Sequence, residues 1–370
     1  MKEEDILNFY DVNSKNILLE PISNNDFLYP EVSIILLMYN QANIIHIALR
    51  SIQNQSLKNI EIIIIDDCST DNSIQIIKEF QKEDKRIRLI ENEYNEGKIK
   101  SRSKGIRICK GKYITIIDGD DALIHKDILY NSYNIGKIGN LDIVELLIAK
   151  YKRKKYLGLL ANYDLIKGLE DKIIYQPDLR TKFIIRNEEP KVRGIINRNI
   201  CGKLIKNELF QKALSKIGLK YTEDYILVYE DTIMAITLLQ IAKSYYLMKT
   251  KGYYYNKAKK NDYFNYNQYK NRKKCRQNNN IIKGIDQAKY LNFLIEHTKD
   301  NYIERQLIYY EIKSMSYWEG FAKTIENHFY LLYEVFDKIL KMRFLKRKQI
   351  KKIMFIINKL KEKEMKNNKN

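Results

Sequence analysis

The 370-residue sequence is poor in the residues that mark fibrous, disordered or disulfide-bonded proteins. It has 4 prolines, 14 glycines and 1 tryptophan, while 45% of its residues are hydrophobic. This composition excludes collagen-like and low-complexity chains. The four cysteines (Cys68, Cys109, Cys201 and Cys275) form no CxxC pair and no metal-ligand spacing, which favours a reducing compartment. The chain is long enough for one large domain or two smaller ones, each with its own core.

Long apolar segments are missing as well. No run approaches the roughly 20 apolar residues that span a bilayer. Residues 1–30 start polar and acidic and contain no apolar core of a secretory signal. They are therefore interpreted as an irregular N-terminal leader. We expect a cytoplasmic protein, peripheral at most on the inner face of the plasma membrane.

Positive charge is in excess and unevenly distributed. The formal net charge is +20, and residues 341–370 hold 12 Lys or Arg and 2 Glu, a net of 12 − 2 = +10. Ile350, Ile353, Ile357 and Leu360 fall at helical spacing among these cations, which predicts a basic amphipathic helix able to contact an anionic membrane. Two other interpretations stay open. One is an ordinary solvated helix that packs on the domain, and the other is a compositional drift toward Lys, Asn, Ile and Tyr.

Short apolar runs alternate with helical patterns in the first third of the chain. Strands are predicted at Val32–Met38, Ile60–Ile65, Ile87–Ile90 and Tyr113–Ile117, and the segments between them have helical spacing. Continuous rather than alternating apolar strands, separated by helices, are typical of a parallel sheet covered on both faces. We therefore predict an α/β fold with a mostly parallel sheet flanked by helices.

The pattern beyond residue 140 is less regular. Strands are predicted at Leu141–Ile148 and Ser244–Thr250, and helices at Asn199–Ala213 and Thr232–Ala242. After about residue 266 the chain has only helical patterns. This last part is predicted to be a helical, basic C-terminal region.

Polar residues follow three of the predicted parallel strands. Tyr39 follows the first, Asp67 the second, and the run Asp118–Gly119–Asp120–Asp121 the fourth. Ligands of such sheets bind at the carboxyl ends of the strands. Three carboxylates in four residues repel one another unless a cation lies among them, and oxygen ligands suit Mg²⁺ or Mn²⁺. The run therefore predicts a metal that could bridge a diphosphate. A polar turn is the simpler alternative.

Several stretches of this sequence resemble the family 2 glycosyltransferases with the GT-A fold. They are V-S-I-I-L-L-M-Y-N at 32–40, I-I-I-I-D-D-C-S-T-D-N-S at 62–73, the turn 95–97 with Arg102, and Y-I-T-I-I-D-G-D-D at 113–121. Further on, Gly202–Leu204, Tyr229–Thr232 and Tyr253–Tyr255 resemble the family's acceptor side. The resemblance implies a glycosyltransferase domain at 31–260, with a nucleotide-sugar half at 31–125 and an acceptor half at 126–260. Residues 261–370 are not covered.

The resemblance also implies roles for the residues that follow the strands. Tyr39 and Asp67 would hold the uracil or another base, and Arg102 would contact the base or the phosphates. Asp118 and Asp120 would be the family's D-x-D acids, with Asp120 the main ligand of Mn²⁺ or Mg²⁺ and Asp121 adjacent to it. The sequence departs from the family at Leu37, where a small or hydroxylated residue is common, and at Ser103, which replaces a frequent Asn. Both departures leave details of the donor open.

The catalytic acids implied by the resemblance lie far along the chain. Asp231, which follows Glu230, would be the general base of an inverting transfer from a nucleotide-diphosphate sugar, foremost a UDP-sugar. The acceptor would be a hydroxyl of a cell-envelope glycan or a lipid-linked glycan. On local sequence alone, the two acids also suit the first turn of any helix. A catalytically silent nucleotide-sugar-binding relative is one alternative. A basic nucleic-acid-binding protein is another, disfavoured because the predicted crevice is acidic.

Overall fold

A computed structural model describes residues 29–152, 155–159, 170–179, 199–224, 226, 229–257 and 289–297, with single residues at 338, 350, 351, 354 and 358. Almost all of the predicted leader and most of the predicted C-terminal region at 261–370 lie outside these residues. The same holds for most of the predicted basic helix, including Ile353, Ile357 and Leu360. Within the described part of the chain, no helix combines the length and apolar character needed to cross a membrane.

Strands and helices alternate through residues 32–118, as the sequence predicts. The elements are β1 (Val32–Met38), α1 (Ile45–Gln53), β2 (Ile60–Asp66), α2 (Ser73–Glu83), β3 (Ile87–Glu91), α3 (Lys98–Ile108) and β4 (Tyr113–Asp118). The four strands pair in parallel in the order β3-β2-β1-β4. All seven residues of β1 are buried, because helices cover both faces of a parallel sheet.

The second half of the sheet is mixed. Its elements are β5 (Ala122–Leu123), α4 (Ile128–Ile138), β6 (Ile143–Lys152), β7 (Lys155–Leu159), β8 (Ile173–Tyr175), β9 (Lys203–Lys206), α5 (Asn207–Ile217), α6 (Leu219–Thr222), α7 (Glu230–Ile241) and β10 (Ser244–Asn256). The sheet continues as β4-β9-β6-β10-β5. β9 is antiparallel to both of its neighbours, and β10 is parallel to β6. The α/β fold is confirmed, and its parallel character is concentrated in the first four strands.

One element was predicted wrongly. The predicted helix at Asn199–Ala213 includes β9, and the helix itself begins only at Asn207. Leu204 of β9 pairs with Thr115 of β4 on one side and Val144 of β6 on the other. Both partners are distant in sequence, so no local pattern predicts this strand of only four residues.

A helix at residues 289–297, here α8, packs beside α6. Phe293 meets the ring of Tyr221 edge-on, with 5.1 Å between centroids. The ammonium of Lys289 lies 2.7 Å from the carboxylate of Asp224, and that of Lys220 lies 2.6 Å from Glu296. α8 is therefore bound to the segment 220–224 by an aromatic contact and two ion pairs.

Candidate active site

The carboxyl ends of β1, β2 and β4 meet at one edge of the sheet. In the strand register, Met38 lies opposite Asp66, and Leu37 lies opposite Asp118. Backbone hydrogen bonds extend this register beyond the strands, from Asp67 N–H to Met38 (2.9 Å) and from Gly119 N–H to Leu37 (3.1 Å). The predicted convergence of polar strand ends is thus present in the structure.

The three acids after β4 form a compact cluster. One carboxylate oxygen from each of Asp118, Asp120 and Asp121 lies within 4.8 Å of the others. Asp121 is buried and accepts hydrogen bonds from the Tyr253 hydroxyl (2.8 Å) and the Asn256 N–H (2.9 Å). Burial, together with the charges of Asp120 and Asp118, raises the pKa of Asp121 well above its usual range. Both of its oxygens are thus committed to β10, whereas Asp118 and Asp120 are partly exposed. Hard oxygen ligands at this spacing fit a divalent cation.

Arg102 connects this cluster to the acids of α7. Its guanidinium is fully buried and donates to Asp118 Oδ1 (2.8 Å). It also donates to the carboxylate of Asp231 and approaches Glu230 Oε1 at 3.4 Å. The resemblance implied that Arg102 contacts the base or the phosphates. The structure places it between Asp118 and Asp231, to which the resemblance assigns the roles of metal ligand and general base.

Lys98 is a site residue that the sequence analysis missed. It lies one helical turn before Arg102 on α3, and its ammonium is 3.8 Å from Glu230 Oε1. Burial would lower the pKa of Lys98, but the negative charges of Asp118 and Glu230 outweigh burial and hold the pKa above its ordinary value. The sequence signal for Lys98 was its spacing of four residues from Arg102, which places both cations on the same face of a helix.

The carboxylates around these two cations differ in protonation. Burial would raise the pKa of Asp118, but the charges of Arg102 and Lys98 hold it below its ordinary value. Burial and the charge of Asp231 raise the pKa of Glu230 to about 7. Of these two carboxylates, Glu230 is therefore the one that takes up a proton first as the pH falls.

Glu230 and Asp231 occupy the first turn of α7, where the helix dipole favours acids. The Glu230 side chain is 6% exposed and faces Arg102 and Lys98, whereas the Asp231 side chain is 30% exposed. Of the two predicted catalytic acids, Asp231 is therefore the one accessible to an acceptor.

Asp67 lies at the end of β2, fully buried. Its carboxylate accepts hydrogen bonds from four donors within the segment 92–101, namely Asn92 Nδ2, Glu96 N–H, Gly97 N–H and Ser101 Oγ. Asp67 therefore fixes the turn that leads into α3. Tyr39 is half-buried nearby, and burial, followed by the charges of Cys68 and Asp67, raises its pKa.

Comparison with known proteins agrees with the predicted class. Residues 33–130 match the family model described as Glycosyl transferase family 2. Glycosyltransferase GlyG of Streptococcus pneumoniae is 27% identical over 234 residues, 60% of this chain and 71% of that protein. The GalNAc(5)-diNAcBac-PP-undecaprenol beta-1,3-glucosyltransferase of Campylobacter jejuni is 34% identical over 96 residues, 26% of this chain and 31% of that protein.

The fold likeness extends further than the sequence likeness. The crystal structure of S. aureus TarS 1-349 in complex with UDP-GlcNAc matches with a TM-score of 0.55 at 14% identity, covering 84% of this chain and 81% of that one. Together, the comparisons confirm the predicted enzyme class, glycosyltransferase, and the GT-A fold.

Proposed function

Residues 33–130 are a glycosyl transferase family 2 domain, and on that premise we propose that this enzyme moves a sugar from a nucleotide-diphosphate donor to an acceptor hydroxyl with inversion. The observation that carries the proposal is the bridge made by Arg102. It connects Asp118, within the acidic cluster, to Asp231, the partly exposed acid of α7. The bridge brings the two ends of a displacement reaction into one site, one for the leaving diphosphate and one for the attacking hydroxyl.

Asp120 and Asp118 would hold a divalent cation, Mn²⁺ or Mg²⁺, with Asp121 fixing their loop to β10. Such a cation, when bound, offsets the charge on a leaving diphosphate. Lys98 and Arg102 add positive charge on the α3 side of the same acids. The chain's own contribution on this side is therefore to bind and orient the donor.

Asp231 is the proposed general base. Its carboxylate takes the proton of the acceptor hydroxyl as the hydroxyl oxygen bonds to the anomeric carbon and the bond to the diphosphate breaks. Charge builds on the sugar as in an oxocarbenium ion, and a single displacement from the opposite face inverts the anomeric centre. Arg102 orients the Asp231 carboxylate, and buried Glu230 supports the arginine.

A UDP-sugar is the proposed donor, since the fold neighbour TarS was crystallised with UDP-GlcNAc. Tyr39 would pack against the base. Asp67 would act at the same end of the sheet, because it orders the turn 95–97 beside the base site.

The proposed acceptor is a cell-envelope glycan, attached to a lipid in the simplest case. Support comes from the Campylobacter jejuni relative, whose name specifies an undecaprenol-linked substrate. A basic segment at residues 341–370 would suit an acceptor held at an anionic membrane.

The decisive test is transfer or hydrolysis of UDP-, GDP- and dTDP-sugars with Mn²⁺, by the wild type and by Asp231→Asn. We expect the substitution to lower kcat about 100-fold or more, the usual contribution of a general base, with UDP affinity unchanged. The matched control is Asp127→Asn, at the start of α4, for which we expect wild-type kinetics. Near-normal turnover by Asp231→Asn would remove the base role. Donor binding without any turnover by the wild type would favour the catalytically silent alternative.

A further inference from the structure

An aromatic stack joins α8, in the region 261–370 that the family resemblance does not cover, to the start of α7. The Tyr290 side chain is 0% exposed. Its ring lies flat against the ring of Tyr229, with 5.0 Å between centroids and 5° between planes. Tyr229 immediately precedes Glu230, so this contact lies one residue from Glu230 and two from Asp231.

Tyr229 has a backbone conformation that needs support. It is left-handed, with φ 74° and ψ 0°, which costs a residue other than glycine about 1–2 kcal/mol. Its carbonyl accepts the N–H of Ile233 and so begins α7. Within the described part of the chain, the side chain of Tyr229, the N-cap residue, makes no capping hydrogen bond. The direction in which α7 presents Asp231 therefore depends on what holds Tyr229.

The aromatic stack is strong enough to stabilise the left-handed conformation of Tyr229, and α8, which carries Tyr290, is itself held in place. A paired aromatic contact contributes about 0.5–1.5 kcal/mol beyond its buried area, comparable with the cost of the left-handed backbone. α8 itself is held on α6 through Glu296, which accepts hydrogen bonds from Lys220 (2.6 Å) and Tyr221 (2.6 Å). The ring of Tyr290 is thus held against Tyr229 by the contacts of α8 with α6.

We propose that Tyr290 is a positioning residue, which holds Tyr229 in its left-handed conformation and thereby directs Asp231 toward Arg102 and the acceptor. The inference rests on the proposed function where it concerns Asp231. It gives the region beyond residue 260 a part in the reaction, because α8 supplies a contact on which the geometry of the first turn of α7 depends.

The test compares Tyr290→Leu and Tyr290→Phe with a matched control on the same helix, Glu296→Ala. This control removes one anchor of α8 but leaves the Phe293–Tyr221 contact and the Lys289–Asp224 ion pair, which keep Tyr290 against Tyr229. Two quantities are measured: kcat and KM for UDP-GlcNAc hydrolysis with Mn²⁺, and amide hydrogen exchange of the peptide covering 229–236. For Tyr290→Leu we expect kcat to fall at least 5-fold with KM within 2-fold, and exchange of the peptide to rise. Tyr290→Phe keeps wild-type values, and Glu296→Ala loses thermal stability with kcat retained.

Wild-type kcat and wild-type exchange in Tyr290→Leu would overturn the proposal. An equal loss of kcat in Tyr290→Leu and Glu296→Ala at equal loss of Tm would do the same, since it would reduce the stack to general stability. If Tyr290→Leu does not fold, Tyr229→Leu removes the stack from the other side and is judged by the same measurements. Hydrogen exchange does not depend on turnover. An enzyme inactive on UDP-GlcNAc would therefore count against the proposed donor, while the exchange data still decide the role of Tyr290.

Discussion

Asp66 and Asp67, adjacent at the end of β2, have opposite hydrogen-bonding environments. Asp67 accepts from four donors in the segment 92–101. Asp66 is 1% exposed and accepts from the Ser69 N–H through Oδ2, whereas its Oδ1 has no partner within the described part of the chain. Burial raises the pKa of Asp66. One carboxylate thus orders the segment 92–101, and its neighbour does not.

Asp67→Asn should therefore be far more damaging than Asp66→Asn. An amide at position 67 presents an N–H₂ group to backbone donors, and each buried donor left unsatisfied costs about 1–3 kcal/mol. We expect Asp67→Asn to lower the free energy of unfolding by at least that amount and to weaken UDP binding. Asp66→Asn should keep both close to wild type. Urea denaturation and titration calorimetry with UDP measure these effects, and equal losses in the two variants would contradict the assignment.

Glu230 should make stability depend on pH near neutrality. Burial and the charge of Asp231 raise its pKa from 4.5 to about 7. The folded state then binds the proton more tightly than the unfolded state, so this stabilisation is present at acid pH and is lost as pH rises from about 4.5 to 7. Glu230→Gln should be more stable than wild type at pH 8, by about 1–3 kcal/mol, and equal to it near pH 4.5.

Urea denaturation at pH 5, 6, 7 and 8 provides the measurement. The control is Glu208→Gln, on the exposed face at the start of α5, which should follow the wild-type pH profile. A Glu230→Gln profile parallel to wild type across this range would show that Glu230 does not titrate there.

Among the elements, β10 has a direct connection to the acidic loop 118–121. The Tyr253 hydroxyl donates to Asp121 Oδ2 (2.8 Å) and accepts from the Asp118 N–H (3.3 Å). Tyr253→Phe leaves a buried carboxylate oxygen unsatisfied. We therefore expect a loss of about 1–3 kcal/mol in stability and weaker Mn²⁺ binding, because the loop that carries Asp120 is no longer fastened.

Tyr255→Phe is the matched control, two residues further along β10 and half-buried. Mn²⁺ affinity by titration calorimetry and stability by urea denaturation should be near wild type in this variant. If both variants bind Mn²⁺ equally well, the connection between β10 and the loop has no bearing on the metal.

Elements with a strong local pattern were predictable, and elements defined by distant partners were not. The apolar runs of β1, β2 and β4 predicted their strands almost to the residue. β9 has four residues and is a strand only because β4 and β6 pair with it. Propensity yields to such tertiary pairing.

The same distinction applies to the site. Asp118–Asp121 could be found because three acids follow one strand. The position of Arg102 could not, since its contact with Asp231 spans 129 residues of sequence. Its burial between acids is a property of the packed fold. Sequence therefore located the charged residues of the site except Lys98, and only the structure shows which of them are paired.

At the scale of the whole molecule, the chain has a positive net charge, whereas its candidate active site is acidic. The net charge is +20, yet the acids around Asp118 outnumber Arg102 and Lys98. The excess positive charge lies elsewhere, half of it within residues 341–370, where 12 cations and 2 acids give +10. Such a distribution can hold the enzyme at an anionic surface without blocking a site that binds a cation.

Membrane association through the tail is the prediction at this scale. Each Lys or Arg that lies within a Debye length of an anionic surface contributes about 1 kcal/mol to membrane binding. We expect the 370-residue protein to float with vesicles rich in anionic lipid at low salt and to be released at high salt. Changing five tail cations to Gln should reduce flotation at least 10-fold, and the substituted positions are Arg347, Lys348, Lys351, Lys352 and Lys359.

The control for this experiment removes the same charge elsewhere, from five exposed lysines of the described domain. They are Lys82, Lys85, Lys110, Lys112 and Lys126. Because the formal net charge of the two variants is identical, a difference between them isolates the tail from the overall charge. Equal flotation of both variants would show that the tail has no specific part, and the basic segment would then be an ordinary solvated helix or a compositional drift of the chain.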